Sequence, residues 1–418
     1  MLRSEALPPS LAGRTRELRQ GSRFRRAGAA LPLAIVVTVA AAAAQQPTQP
    51  PAPAPPPIPK LVSVKPIDPP GTPLPAESAS AGITRFSFIA YGDTRSGSEP
   101  GVPGDGQVVH PEHTRLMDTM LARIKSHAAS PFPVRFVVQS GDAVLRGANG
   151  DQWNVSFTPI IERLTRGAGI PYFFSVGNHD VSGMPQGDPL RSLALHNTLT
   201  VMSRLIPPEG SPRRLSGYPT YAVGYGNAFV IALDSNIAAD AIQLAWVTEQ
   251  LEHLDRARYH HIVVVFHHPP FSSGPHGGTH VEPATVAIRE RYMPLFRKHH
   301  VRMIIAGHDH LYDHWVERYM DNGTSYRLDA LVTGGGGAPA YAYSAEPDLQ
   351  PYVAAGAAQQ VAVQHLAVPG PTAADNPRHF VLIQVDGDSL SLEVVAIGAS
   401  GFGPYNGRSR VDLTDRVS

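Results

Sequence analysis

Cysteine is absent from all 418 residues. This excludes disulfides and a lipidated cysteine, so stability must come from the core and from any bound metal. Beyond residue 44 the chain also lacks a basic run. Residues 1–26 carry seven arginines and residues 1–44 two glutamates, which leaves 28 basic against 33 acidic residues in the remainder. A polyanionic partner such as nucleic acid therefore gains no electrostatic support. There is no internal repeat. Residues 27–44 are the one long apolar stretch, small and alanine-rich, ending in an alanine run before Gln45. A basic region, an apolar region and a small-residue end together predict an export signal over residues 1–45, with a periplasmic or secreted destination. Arg25-Arg26 hints at twin-arginine export. The alternative is an uncleaved membrane anchor, which Gly28, Pro32 and the excess of alanine over leucine disfavour. Membrane contact is expected only in that alternative.

From Pro47 to Pro75 the chain holds 13 of its 41 prolines. Such a segment favours extended polyproline conformation and buries little, so residues 46–82 are read as a linker. The folded domain is expected over 83–400, with a tail at 401–418. Within the domain, the apolar runs at 86–91, 134–139, 170–176, 262–266 and 301–305 read as buried strands. Helical spacing marks 112–127, 157–166, 193–205, 241–254 and 284–299, the last perturbed at Pro294. A hairpin is expected over 220–233, further strands at 326–332, 379–385 and 390–397, and a surface excursion at 345–376.

All five apolar runs end in polar residues: Asp93, Asp142, Asn178-His179, His267-His268 and His308 with His310. Strand ends in an α/β sheet converge on one crevice, so residues more than 200 positions apart can meet. Singly, each end has a plainer reading. Aspartate is a common cap or turn former, and His267-His268 holds at most one ligand, because adjacent side chains on a strand point opposite ways. Jointly they supply oxygen and imidazole donors without thiolate, a set suited to Zn, Fe or Mn.

The motif order Gly92-Asp93, Gly141-Asp142, Gly177-Asn178-His179-Asp180, His267-His268-Pro269-Pro270 and Gly307-His308-Asp309-His310 is similar to the calcineurin-like metallophosphoesterase superfamily. The later motifs resemble purple acid phosphatases and their bacterial relatives. The likeness covers about residues 84 to 340, and Asp234, Gln243 and Trp246 match the segment before the histidine strand. It implies a four-layer α/β/β/α sandwich with two metal ions at the strand ends. By this resemblance Asp93 and His310 bind the first metal, Asp142 bridges, and Asn178, His267 and His308 bind the second. His179 is the implied catalytic histidine, with Asp180 orienting its ring, and His276 the implied substrate contact. The implied activity is hydrolysis of a small-molecule or lipid phosphomonoester or diester by a metal-bound hydroxide.

The chain departs from the pattern at the first metal. Many members place histidine two after the first aspartate, and purple acid phosphatases take a tyrosine three after the bridging one. Here those positions hold Arg95 and Leu145. Arginine has no lone pair to give, so the first metal is left with Asp93, Asp142, His310 and water, unless His110 or His113 joins them. Arg95 is expected to contact the substrate phosphate with its planar donor fork. The rival expectation is a non-catalytic binding module with a degenerate first metal site.

Overall fold

The computed structural model describes residues 62–96, 106–181, 187–277 and 281–413. The expected export signal and the proline-rich stretch up to residue 61 lie outside them. In chain order the elements are β1 (Arg85–Tyr91), α1 (Pro111–His127), β2 (Val134–Gln139), α2 (Thr158–Glu162), β3 (Tyr172–Phe174), α3 (Asn178–Val181), α4 (Pro189–Met202), β4 (Tyr221–Tyr225), β5 (Ala228–Ala232), α5 (Ala241–Glu252), β6 (His261–Val265), α6 (Pro283–Ala287), α7 (Met293–Lys298), β7 (Met303–Ala306), β8 (Tyr312–Asp321), β9 (Thr324–Thr333), α8 (Gln350–Ala355), β10 (Ala362–Ala367), β11 (His379–Asp386), β12 (Ser389–Ala396) and β13 (Arg410–Asp412). Wide π turns flank α2 and join α6 to α7. The third of these precedes Pro294, which cannot donate a backbone hydrogen bond to the preceding turn.

The strands form two mixed sheets. One runs β13-β12-β11-β1-β2-β3 and the other β10-β8-β9-β7-β6-β5-β4. β1, β2 and β3 are parallel, as are β5, β6, β7 and β9. Alternate residues of the second sheet belong to two cores. Val230, Val263, Val265, Met303 and Ile305 pack toward the first sheet, whereas Phe229, Ile231, Ile262, Val264 and Ile304 pack with Trp246, Val247, Tyr292 and Phe296 of the outer helices. Burial on both faces is why these strands read as unbroken apolar runs. Across the sheets, the Phe86 and Tyr225 rings meet edge-on at 5.0 Å. Leu116, Met117, Ile160 and Ile161 join the same core from helices α1 and α2, completing the expected four layers.

Three segments differ from the sequence reading. From residue 62 the stretch assigned to the linker lies on the domain: Ile67 is fully buried and its N–H donates to the Val201 carbonyl. Glu77 pairs there with Arg213 and accepts from the Tyr259 hydroxyl. Apolar anchors hidden among prolines account for this. In the expected tail, β13 pairs with β12 and Tyr405 reaches His314. β8 escapes the apolar pattern because Asp313, His314 and Glu317 are buried as partners of His365, Asp329 and Arg297. Its neighbour β10 lies within the stretch read as a surface excursion. Among the described residues no helix is long and apolar enough to cross a membrane.

Candidate metal centre

Parallel strands end on one side of their sheet, so the loops after β1, β2 and β3 meet those after β6 and β7. The chain turns sharply at these ends. Asp93, Asp142 and His308 adopt left-handed backbone conformations, with φ of 58°, 55° and 73°. Such strain costs about 1–3 kcal/mol each and concentrates where side chains are held for function. Gly177 permits a close approach: a Cβ there would lie 2.1 Å from Asp142 Oδ1 and 2.4 Å from its amide nitrogen.

The expected second-metal residues come together. His267 Nε2 lies 2.9 Å from Asn178 Oδ1, 3.1 Å from His308 Nδ1 and 3.4 Å from Asp142 Oδ1. The other nitrogen of each ring is already committed. His267 Nδ1 donates to the Ser140 carbonyl at 3.1 Å and His308 Nε2 to Glu282 Oε2 at 3.0 Å. In the neutral tautomers that match these bonds the inward nitrogens present lone pairs, and His267 Nε2 faces an amide oxygen and a carboxylate oxygen. Burial depresses His267 to about 3, so its ring has no second proton to offer. The two imidazole nitrogens and the Asn178 oxygen converge with Asp142 Oδ1, which also accepts from the His179 amide, a set that fits a cation, and acceptor-bound outer nitrogens are the usual support of imidazole ligands.

Among the described residues, the groups of three His/Asp/Glu with ligand atoms within 4.8 Å of one another are Asp93-Asp142-His267 and His268-Glu282-His308. Two adjoining groups are consistent with a dinuclear centre. In the second group His268 Nδ1 meets the Ser235 hydroxyl at 2.8 Å, and its Nε2 faces Glu282 at 3.9 Å. Burial holds it well below the usual histidine range.

On the first-metal side, His310 Nδ1 donates to the Pro339 carbonyl at 2.7 Å and turns Nε2 toward Asp93 Oδ1, 3.6 Å away. Burial, then the charge of Arg95, depress this ring to about 3. The Arg95 guanidinium reaches into the same place. Its Nε donates to Asp142 Oδ2 at 3.1 Å and its Nη2 lies 3.4 Å from His310 Nε2. Asp93 accepts from the His308 amide through both oxygens; burial and the adjacent Asp142 push its carboxyl well up. Burial alone would raise Asp142 too, but His267, His179 and Arg95 outweigh it and keep that carboxyl below its usual range. His110 and His113 do not reach the centre: one caps α1 and the other meets the Tyr91 hydroxyl.

His179 lies at the rim with its side chain 30% exposed, its Nε2 3.9 Å from Asp142 Oδ2. The ring is oriented by the Leu145 carbonyl, which accepts from Nδ1 at 2.8 Å. Asp180 does not orient it. That carboxylate is buried and accepts from the amides of Gly177 and Val144, bracing the turn instead. His276 reaches the cluster, its ring 4.3 Å from that of His308, and its Nδ1 donates to Glu282 at 2.9 Å. That bond raises His276 above the usual range despite partial burial. Glu282 and Tyr341 were not legible as site residues. Glu282 sits in a loop before Pro283, and Tyr341 stacks on His310 at 4.1 Å from a long Gly-Ala-Pro segment.

Two mixed sheets with oxygen and imidazole donors gathered at parallel strand ends define an α/β sandwich with a candidate metal centre. Residues 109–312 match the family described as calcineurin-like phosphoesterase, a match that begins after Asp93 and Arg95. Over these residues the chain matches the calcineurin-like metallophosphoesterase superfamily. Among solved structures it is similar to a purple acid phosphatase from yellow lupin (Lupinus luteus) seeds, with 17% identity, a TM-score of 0.57, and 78% of this chain and 53% of that one covered. GAP50, the anchor in the inner membrane complex of Plasmodium, aligns at 14% identity and TM-score 0.45 over 79% of this chain and 89% of its own. A dimetal phosphatase from Danio rerio aligns at 13% and 0.44 over 79% and 99%. The lupin likeness is one of fold, and the chain spans about half the length of that protein.

Proposed function

We propose that this protein is an exported, metal-dependent phosphoric ester hydrolase acting on a phosphomonoester or diester of a small molecule or lipid. The carrying observation is the convergence of Asn178, His267, His308 and Asp142 on one spot beside His179. A metal ion bound by these four residues supplies Lewis acidity toward phosphoryl oxygens and toward water; iron, zinc and manganese all suit the donor set.

The chain's own groups divide the remaining work. With Nδ1–H fixed on the Leu145 carbonyl, His179 turns Nε2 to the cleft, from which a proton would pass to the leaving oxygen as the oxygen of water bonds to phosphorus and the ester P–O bond breaks. Arg95 places a permanent positive charge beside Asp142, where negative charge develops on the phosphoryl group. Glu282 favours the protonated form of His276, whose other N–H donates to a phosphoryl oxygen. Gly177 and Asp180 hold the turn that carries Asn178 and His179.

The second reading is a metal-containing binding module without turnover. The guanidinium lying among the expected first-metal residues favours it. Hydrolysis of p-nitrophenyl phosphate and bis-p-nitrophenyl phosphate by metal-loaded protein separates the two. Chelator-sensitive release of p-nitrophenol from either substrate is expected, and bound metal with no release at any pH selects the binding module.

A further inference from the structure

The two halves of the centre differ in what their acceptors still need. On one side His267 Nε2 faces Asn178 Oδ1 at 2.9 Å and His308 Nδ1 at 3.1 Å, and the outer nitrogens of both rings are taken by the Ser140 carbonyl and Glu282. On the other side every acceptor has a partner within the chain. Asp93 takes the His308 amide, Asp142 Oδ2 takes Arg95 Nε, and His310 Nε2 faces Arg95 Nη2. Tyr341 adds a hydrogen bond to the guanidinium and stacks on His310. The Arg95 side chain is 11% exposed and Asp142 1%, so this charge is largely withdrawn from solvent while still opening on the cleft.

Resting on the reading above, we propose that Arg95 replaces the first metal ion, so that the protein binds a single metal in the Asp142-Asn178-His267-His308 cluster and carries its second cation as a covalent part of the chain. A guanidinium offers planar donors to a carboxylate and an imidazole lone pair but cannot itself ligate a metal. A metal arriving between Asp93, Asp142 and His310 would have to expel it, leaving a charged side chain to be rehoused. Positions that other family members use for the missing ligand offer no substitute here. Leu145 contributes only its carbonyl, which is bound to His179, while His110 and His113 are committed at α1.

The test is metal stoichiometry, read by elemental analysis on wild-type protein reconstituted with excess Mn²⁺ and desalted, with electron paramagnetic resonance on the same samples. One equivalent per chain with an uncoupled six-line manganese spectrum is expected for wild type. Arg95→His, which restores a ligand at that position, is expected to bind two equivalents and give a spin-coupled spectrum. Two equivalents in wild type would overturn the proposal while leaving the hydrolase reading intact. No bound metal together with no ester hydrolysis would overturn both. The wild-type measurement decides the matter even if Arg95→His fails to fold.

Discussion

Nδ1 of His308 lies 3.1 Å from Nε2 of His267, and each ring has its opposite nitrogen bound to an acceptor, Glu282 for one and the Ser140 carbonyl for the other. Two imidazole lone pairs thus point at one place. Of the two supports, Glu282 is the one a substitution can remove. Glu282→Gln should weaken metal binding about 10–100-fold, the usual effect of losing such a partner. Competition with a calibrated chelator measures it. Unchanged affinity would mean that Glu282 does not set the His308 tautomer.

His179 should separate chemistry from metal binding. It touches Asp142 through its backbone amide at 3.0 Å, an interaction that a side-chain change leaves in place. His179→Ala is expected to lower kcat by about 10²–10⁴-fold, the range for a lost general acid, with metal content unchanged. A proportional loss of metal and rate would place His179 among the ligands instead.

The turn at Gly177 should tolerate no side chain. A Cβ there would lie 2.1 Å from Asp142 Oδ1, so Gly177→Ala must displace the aspartate or the turn. The expected result is loss of bound metal with the fold retained, read by elemental analysis beside far-ultraviolet circular dichroism. Full metal content in Gly177→Ala would show that the loops have more freedom than this packing implies.

Stability in acid should depend on Asp329, which is fully buried between His314, Arg302 and Arg327. Burial alone would raise its carboxyl, but these partners hold it below the usual range. A carboxyl lowered in the folded state adds stability that is complete above its unfolded pKa, about 3.9, and is lost as pH falls below that value toward the folded one. Urea midpoints should fall below about pH 4. Asp329→Asn should cost about 3–5 kcal/mol at neutral pH, because it leaves buried arginines short of a partner. A pH-independent midpoint between pH 5 and pH 3 would contradict this.

The buried parallel strands and the residues at their ends were legible because double-sided burial writes continuous apolar runs and sharp strand ends require Gly, Asp, Asn or His. The legible part ends where polar residues are buried in pairs. β8 looks exposed in sequence, yet Glu317 is satisfied by Arg297, and no local pattern encodes a partner 20 positions away. Asp180 illustrates the same limit within the site. Its place beside His179 suggested an orienting carboxylate, but the helical turn of α3 directs it back to the amides of Gly177 and Val144, and the Leu145 carbonyl does the orienting. Arg95 was legible as a departure, but where its guanidinium would lie depends on three loops far apart in the chain.

The most direct test of the account is p-nitrophenol release from p-nitrophenyl phosphate and its bis ester, measured with metal content on the same samples of wild type and Asp142→Ala. Asp142 sits between the metal cluster and Arg95, so its loss should abolish turnover and reduce bound metal together, while wild type turns over at least one ester and loses that activity on chelation. Wild-type protein that holds metal yet hydrolyses neither ester at any pH, or Asp142→Ala protein that retains full activity, would contradict it.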